Sequence, residues 1–489
     1  MLAENNRLSK IIAGIFFIVL LCIITYKAVN VPITFDEYSA ALNYPNFTVW
    51  QIMMYPNPWP SNHILNTLCI KLEEYLWGVS PLGVRVHSIL AFVLMYWGVY
   101  LMAIHFFSKK RVLFCLPFFI LFCNPFLLDF FGLARGYGLS NALMLFSVYC
   151  LLRFSTSYKP RWYYLTILFS MLASYANFTL LIYWVAVHLV LVSLQIIYTH
   201  KTGEEVRKKI PQVLITAAIA AAFLALCFNP LYKMQSTNQF IYWSKVGFFK
   251  DTVVDQATQF LYGPEEPWAI FSAVHLGIYA VTIFIIGCLW SVYRLGINIR
   301  SAVSEPLVVL SLLLLATWLV NVGQTVLLGS PFLTTRTALS YYVLFALVFV
   351  FLLRDISLRI DLFAKTVVPL IMVLFTVHLF STANLKSVRE WWFDAHTYEV
   401  QNYLNDYRLQ HTELKLIYLN TTWIFYPSFC FYCDTKKTRW LYVIDPHHYV
   451  DTTSQTLFYY ATEDDARYLK NYKPVLYFKD AGNVLLMKK

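Results

Sequence analysis

Two adjacent carboxylates open the chemistry of this sequence. Asp36 and Glu37 stand in the stretch VNVPITFDEYSAALNY, residues 29–44, a few residues after an unbroken apolar run from Ile11 to Thr25. Acids there add nothing to a membrane anchor. A carboxylate can, however, take the proton of an attacking hydroxyl, and cations can stabilise the charge that builds on a phosphate leaving group. The candidate cations are Arg135, Lys233, Lys245 and Arg336, with a third acid, Asp129, a few residues before Arg135. His63 lies in the same segment as the acid pair. Each has a plainer alternative. Asp36 could be held in a structural ion pair with Arg135 or Arg336, Arg135 could be an interfacial snorkelling residue, and His63 a packed histidine.

The composition says what kind of scaffold must position these groups. Of 489 residues, 59% are hydrophobic and 13% charged, against about 25% charged in soluble proteins. The apolar residues come in blocks of the ~20 residues that cross a bilayer. This predicts a polytopic α-helical membrane protein with a small soluble domain. The 18% of aromatic residues fits Trp and Tyr at both bilayer interfaces. A net charge of +11 would suggest nucleic acid as the partner of a soluble protein. Here it is explained by basic loops, and no nucleic-acid partner is expected. The first apolar run lacks an A-x-A-like cleavage site and is long for a signal peptide, so it reads as an uncleaved first span.

Eleven spans are expected, at 11–29, 85–107, 112–130, 138–153, 162–177, 178–199, 211–229, 268–293, 306–329, 338–353 and 365–382. The stretch 162–199 is apolar throughout and is divided at Asn177. Alternate connections are basic: Arg7 and Lys10; Lys109–Arg111; Arg153, Lys159 and Arg161; Lys201 and Arg207–Lys209; Arg294 and Arg300; Arg354, Arg359 and Lys365. The positive-inside rule makes these cytoplasmic. Segments 30–84, 131–137, 230–267, 330–337 and the tail then face the outside of a cell (inner) membrane. Asp36, Glu37, Asp129, Arg135, Lys233, Lys245 and Arg336 would meet the same water layer. That suits a lipid-linked phosphate beside a general base.

Within segment 30–84, SNHILNTLCIKLEEYLW spaces Ile64, Leu65, Leu68, Leu72, Tyr75 and Leu76 as the apolar face of an interfacial helix. The tail is polar and tyrosine-rich. One helix, FDAHTYEVQNYLNDYRLQ, and four strands, LKLIYLN, RWLYVID, KPVLYFK and NVLLMKK, predict an α/β domain over 384–489. Residues 1–383 form the transmembrane domain. Seven of the nine cysteines lie in or near apolar segments. The lone C-x-x-C of Cys430 and Cys433 lacks the four ligands of a structural zinc site, leaving a local disulfide or two thiols. His447 and His448 are adjacent and point apart on a strand, which favours a polar loop over a metal site.

FDE after the first span, NHIL in the first external segment, SPLGVRVHS leading into the second span and NPFLLDFFGLARGYGLS across the third and fourth together resemble GT-C glycosyltransferases. The nearest likeness is to bacterial membrane proteins related to protein O-mannosyltransferases and the lipid A aminoarabinose transferase. The resemblance covers most of the chain. It implies inverting transfer from a polyprenyl-phosphate sugar to a hydroxyl of a glycan, lipid or protein. It places Asp36, with Glu37, at the reaction centre and maps a second acid to Asp129. It maps phosphate-binding arginines to Arg135 and Arg336. Tyr137 of the A-R-G-Y run, His63, Lys233 and Lys245 complete the expected substrate-binding set. No clear D-x-D pair is present, so no cofactor is certain; a divalent metal, as some GT-C enzymes use, is possible but lacks a clear motif to hold it. A transporter or flippase, or a polysaccharide polymerase or ligase, is the alternative. A transporter would place ionisable groups at mid-membrane on broken helices, whereas here they gather at one face.

Overall fold

The computed structural model describes residues 7–202, 210–239, 246–262, 267–436, 438–446 and 450–489. Lys245, Arg207–Lys209, His447 and His448 lie outside the described residues.

Each expected span has a helix in its place. Helix α1 (Arg7–Asn30) leads to the short α2 (Phe35–Tyr38), α3 (Val49–Met53) and α4 (Ile64–Trp77). Then follow α5 (Val86–Phe106), α6 (Arg111–Phe122), α7 (Pro125–Asp129), α8 (Gly136–Ser157), α9 (Pro160–Ala176) and α10 (Leu181–Thr202). Beyond these come α11 (Ile210–Ser236), α12 (Asp255–Leu261), α13 (Pro267–Ala302), α14 (Pro306–Leu328), α15 (Leu339–Arg359) and α16 (Asp361–Thr382). Among the described residues, nine segments are long and apolar enough to cross a membrane. Helix α8 runs through the middle, almost wholly buried. Helices α11, α13 and α16 lie outside it and expose Phe228, Leu289, Val292, Leu370 and Phe380. So large an apolar surface is costly in water and natural against hydrocarbon. The chain is a multi-pass membrane protein.

Three expectations need correction. The span 112–130 is not one helix. It breaks at Asn124, whose Oδ1 accepts the Leu127 N–H at 3.1 Å, with Pro125 starting α7; an Asn-Pro pair ends one helix and caps the next. Helix α4 is amphipathic, but its buried face is partly polar. Asn66 and Glu73 are buried, while Leu72, Tyr75 and Leu76 are exposed. The reason is His87, whose Nε2 meets Asn66 Oδ1 at 2.7 Å and whose Nδ1 meets Glu73 Oε2 at 2.9 Å. The third concerns the tail, which has more elements than expected.

The tail folds as α17 (Thr397–Gln410), β1 (Ile417–Thr421), α18 (Tyr426–Thr435), β2 (Leu441–Val443), β3 (Phe458–Thr462), α19 (Glu463–Ala466), β4 (Tyr472–Phe478) and β5 (Asn483–Lys488). The sheet order is β2-β1-β3-β5-β4, parallel among the first three and antiparallel after. Strand β3 was not expected. Four of its five residues are buried, so it lacks the alternation that marks a half-buried strand. Cys430 and Cys433 sit on α18 as free thiols.

The bundle has two distinct ends. At one, Ser9 Oγ donates to the Arg111 carbonyl and Lys110 to the Ser357 carbonyl, bringing the basic connections together. At the other, the segment after α1, the start of α8 and the start of α15 converge under the tail.

Candidate functional site

The segment carrying Asp36 is fixed before any chemistry begins. Glu37 is fully buried and makes a two-pronged pair with Arg85, Nε to Oε1 at 2.8 Å and Nη2 to Oε2 at 2.6 Å. It also accepts the Ala134 N–H at 2.6 Å and the Thr34 N–H at 3.0 Å. Arg85 spends its remaining donors on the carbonyls of Ala28, Val31 and Pro32. Burial alone would raise the Glu37 carboxyl, but Arg85 and the two N–H donors hold it below the ordinary carboxylate value. Every lone pair of Glu37 is thus occupied. It anchors the turn after α1 and does not share the site with Asp36, contrary to the paired role expected from sequence.

The tail holds the same turn from the other side. Ile33 N–H donates to Tyr432 Oη at 2.7 Å, Ser428 Oγ donates to the Ile33 carbonyl at 2.6 Å, and Phe35 N–H donates to Asp394 Oδ2 at 2.8 Å. Burial, with Glu37 and Asp36 nearby, pushes the Asp394 carboxyl well above the ordinary range.

Asp36 is in a different state. Its Oδ2 lies 3.4 Å from Arg135 Nη2 and 3.2 Å from Arg336 Nη2, and its side chain is 17% exposed. Charge-assisted pairs close to about 2.7–2.9 Å, as Glu37 and Arg85 do. Asp36 is held loosely between two guanidiniums and reaches solvent. That difference separates an anchor from a group free to change partners.

Both arginines are positioned by the fold. Arg135 precedes α8, and its Nη1 donates to the carbonyls of Ser61 at 3.1 Å and Asp36 at 3.3 Å. Arg336 follows Thr335, which has a positive φ of 42°, a strained conformation for a β-branched residue. That strain is held by α12: Asp255 accepts the Thr335 N–H, and Gln256 Nε2 donates to the Thr335 carbonyl at 2.6 Å. Arg336 then pairs with Glu390 and donates from Nε to Tyr137 Oη at 3.2 Å. The Trp391 ring lies 6.0 Å from Arg135 and 5.0 Å from Arg336, within the range of a cation–π contact.

His63 stands edge-on to Tyr137 with ring centres 4.9 Å apart. Burial, then Arg135 and Arg336, push its imidazole well below the usual value, so it is neutral. Its Nε2 is buried without a partner among the described residues. Only glycine fits at 136, because a Cβ there would come within 2.3 Å of the Ala176 carbonyl and 2.8 Å of the His63 Cβ.

Asp129 and Lys233 are held by other partners. Asp129 is buried against Lys27 and accepts the Tyr262 hydroxyl at 2.6 Å and the Arg389 N–H at 3.0 Å. It ties together the end of α1, the residue after α12 and the link that carries Glu390. Lys233 donates to the carbonyls of Met54 and Tyr55 at 3.1 and 2.7 Å, bracing the first segment. Lys245 lies outside the described residues. Sequence reasoning missed Arg85, Glu390, Trp391 and Asp394. Arg85 had a signal, being an ionisable residue at the start of an apolar span. Glu390 and Trp391 had none, because only the folded tail brings them to Arg336.

A divalent cation takes several oxygen ligands. Among the described residues there is no group of three or more His, Cys, Asp or Glu side chains able to hold one. Asp36 is hemmed by guanidiniums, and the carboxylates of Glu37 and Asp129 are fully engaged.

No protein-family model matches the chain, and no curated protein sequence matches it. Among solved structures, the chain is similar to ArnT from Cupriavidus metallidurans. The apo crystal structure aligns at TM-score 0.42 and 12% identity over 97% of this chain and 97% of that one. The structure bound to undecaprenyl phosphate aligns at TM-score 0.42 and 13% identity over 98% and 97%.

Proposed function

We propose that this protein is a membrane glycosyltransferase that moves a sugar from a polyprenyl-phosphate donor to an acceptor hydroxyl, with inversion, on the external face of the membrane. One observation carries the reading: a partly exposed carboxylate, Asp36, lies loosely between two guanidiniums where the transmembrane helices α8 and α15 begin. The sequence resemblance supports the same assignment.

In this mechanism the donor phosphate takes Arg135 and Arg336 as its partners and releases Asp36 from them. The acceptor oxygen attacks the anomeric carbon from the face opposite the phosphate. Its proton passes to Asp36, and the bond between sugar and phosphate oxygen breaks with the electron pair staying on the phosphate. Tyr137 and Glu390 steer Arg336, and neutral His63 packs beneath Tyr137 without adding a competing cation. The tail, 384–489, holds the Asp36 turn in register. In this orientation the tail and the site are external and the basic end is cytoplasmic.

The direct test is a panel of polyprenyl-phosphate sugars offered to membranes containing the protein, following release of lipid phosphate. No release with any donor, from protein that is folded and abundant, would reject the reading. A second test addresses the clamp. Guanidinium offers a two-pronged donor set that an ammonium cannot copy. Arg135→Lys and Arg336→Lys should each lower donor kcat/KM about ten- to a hundredfold, the scale of a charged hydrogen bond of about 1.5–3 kcal/mol, with smaller effects on the acceptor. A snorkelling role predicts that lysine serves equally. Donor titrations on wild type, Arg→Lys and Arg→Ala decide between them, and lysine matching wild type at both positions sinks the clamp.

A further inference from the structure

Away from Asp36, at the basic end of the bundle, lies a cavity of about 590 Å³. Arg153 near the end of α8, Arg354 and Arg359 near the end of α15, Glu305 before α14 and Trp290 of α13 line it. The local chain makes this concavity. Helix α13 leaves helical geometry at Asn298, with φ −158° and ψ 97°, and Pro306 starts α14 a few residues later.

The charges around the cavity do not cancel. Glu305 is engaged by Arg294, and Asp355 by Arg354 at 2.8 Å. Arg354 also donates from Nε to the Phe106 carbonyl at 2.7 Å. Arg153 and Arg359 have no carboxylate within ion-pair distance among the described residues. Each lies over an indole instead: Arg153 is 5.0 Å from Trp162 and Arg359 is 4.6 Å from Trp290. Among the described residues, the Arg153 guanidinium makes one hydrogen bond, a long contact of 3.4 Å to the Tyr149 hydroxyl. The Trp290 Nε1 is buried without an acceptor among the described residues.

Two guanidiniums without a carboxylate at ion-pair distance among the described residues therefore border one cavity, each bedded on an indole. Cations serving only to orient a protein in the bilayer need neither a concavity nor an aromatic bed. An oxyanion with several acceptor oxygens can take more than one guanidinium, and phosphate matches the guanidinium fork. Basic pockets between transmembrane helices are places where lipid phosphates bind. We propose that this cavity binds a phosphate group, carried by an anionic lipid headgroup or free in solution, with Arg153 and Arg359 as its donors. The proposal is independent of the glycosyl-transfer reading.

The test is native mass spectrometry on the full-length protein purified in a neutral detergent. Phosphatidylglycerol or phosphatidylcholine is added, and inorganic phosphate serves as competitor. Wild type should retain phosphatidylglycerol in preference to phosphatidylcholine. R153Q/R359Q should retain it at least about tenfold less well, having lost two charge-assisted contacts. Displacement by millimolar inorganic phosphate would identify free phosphate as a sufficient ligand, and resistance to displacement would identify the lipid headgroup. If the double variant cannot be purified, Arg359→Gln alone serves, since Arg359 is exposed, and should lower retention about threefold, one contact being lost. Equal retention by wild type and variant, or no preference for the anionic lipid in wild type, would overturn the proposal.

Discussion

Asp36→Asn is expected to lower sugar transfer at least about a hundredfold, the scale of losing a general base, while leaving membrane yield and thermal unfolding unchanged. The substitution keeps the shape of the side chain and replaces a basic carboxylate with an amide too weakly basic to take the acceptor proton. Asp36 makes only long contacts to Arg135 and Arg336, at 3.4 and 3.2 Å, and is partly exposed. Both arginines keep other partners when Asp36 is neutralised, Arg135 on the carbonyls of Ser61 and Asp36 and Arg336 on Glu390 and Tyr137, so neither guanidinium is left bare. Initial rates of lipid-phosphate release, at saturating donor and acceptor, measure the effect in kcat. Near-normal turnover by folded Asp36→Asn would show that the carboxylate is a partner for the arginines and nothing more. The base would then have to be another group.

Glu37→Gln, one residue away, should fail for a different reason. It is expected to destabilise the protein by about 3–5 kcal/mol, the cost of leaving one member of a buried ion pair without its partner. Against a typical total of about 5–15 kcal/mol, that is enough to lower membrane yield and the unfolding temperature in detergent. The amide supplies one acceptor where Arg85, Ala134 and Thr34 require two oxygens. Its NH2 would face donors. Replacing both partners, as in Glu37→Leu with Arg85→Met, should not restore stability, because Arg85 also satisfies the carbonyls of Ala28, Val31 and Pro32. Wild type should also lose this contribution as pH falls from the ordinary value of 4.5 through the lowered value of folded Glu37, because a depressed carboxyl stabilises only while ionised. Glu37→Gln should lack that acid limb. A Glu37→Gln protein with wild-type yield and melting behaviour but abolished turnover would return Glu37 to the reaction centre.

The sequence by itself determined the scaffold. Length and apolarity place helices in water or in hydrocarbon with little regard to their neighbours, and the expected segments are helical, 112–130 as two helices broken at Asn124. The break at Asn177 was legible because Asn177 disrupts an otherwise continuous apolar stretch, and its side chain accepts the Thr179 N–H at 3.1 Å. The acids and arginines of the site were legible as types, because an ionisable group beside a bilayer needs a reason to be there.

Only the tertiary structure decided which of them meet. Asp36 and Glu37 are neighbours in the chain, yet one lies open between Arg135 and Arg336 while the other is sealed against Arg85. A single turn of helix points consecutive side chains in different directions, and what stands on each side comes from α5, the start of α8 and the tail. Asp129 and Lys233 carry the right charge for chemistry but found buried or backbone partners first. Glu390 and Trp391 reach Arg336 across more than fifty residues of chain, a closeness created by packing alone. Composition and hydropathy are local sums along the sequence. Whether a carboxylate is an anchor or a base depends on which donors surround it in space, and that is set by contacts between segments far apart in the chain.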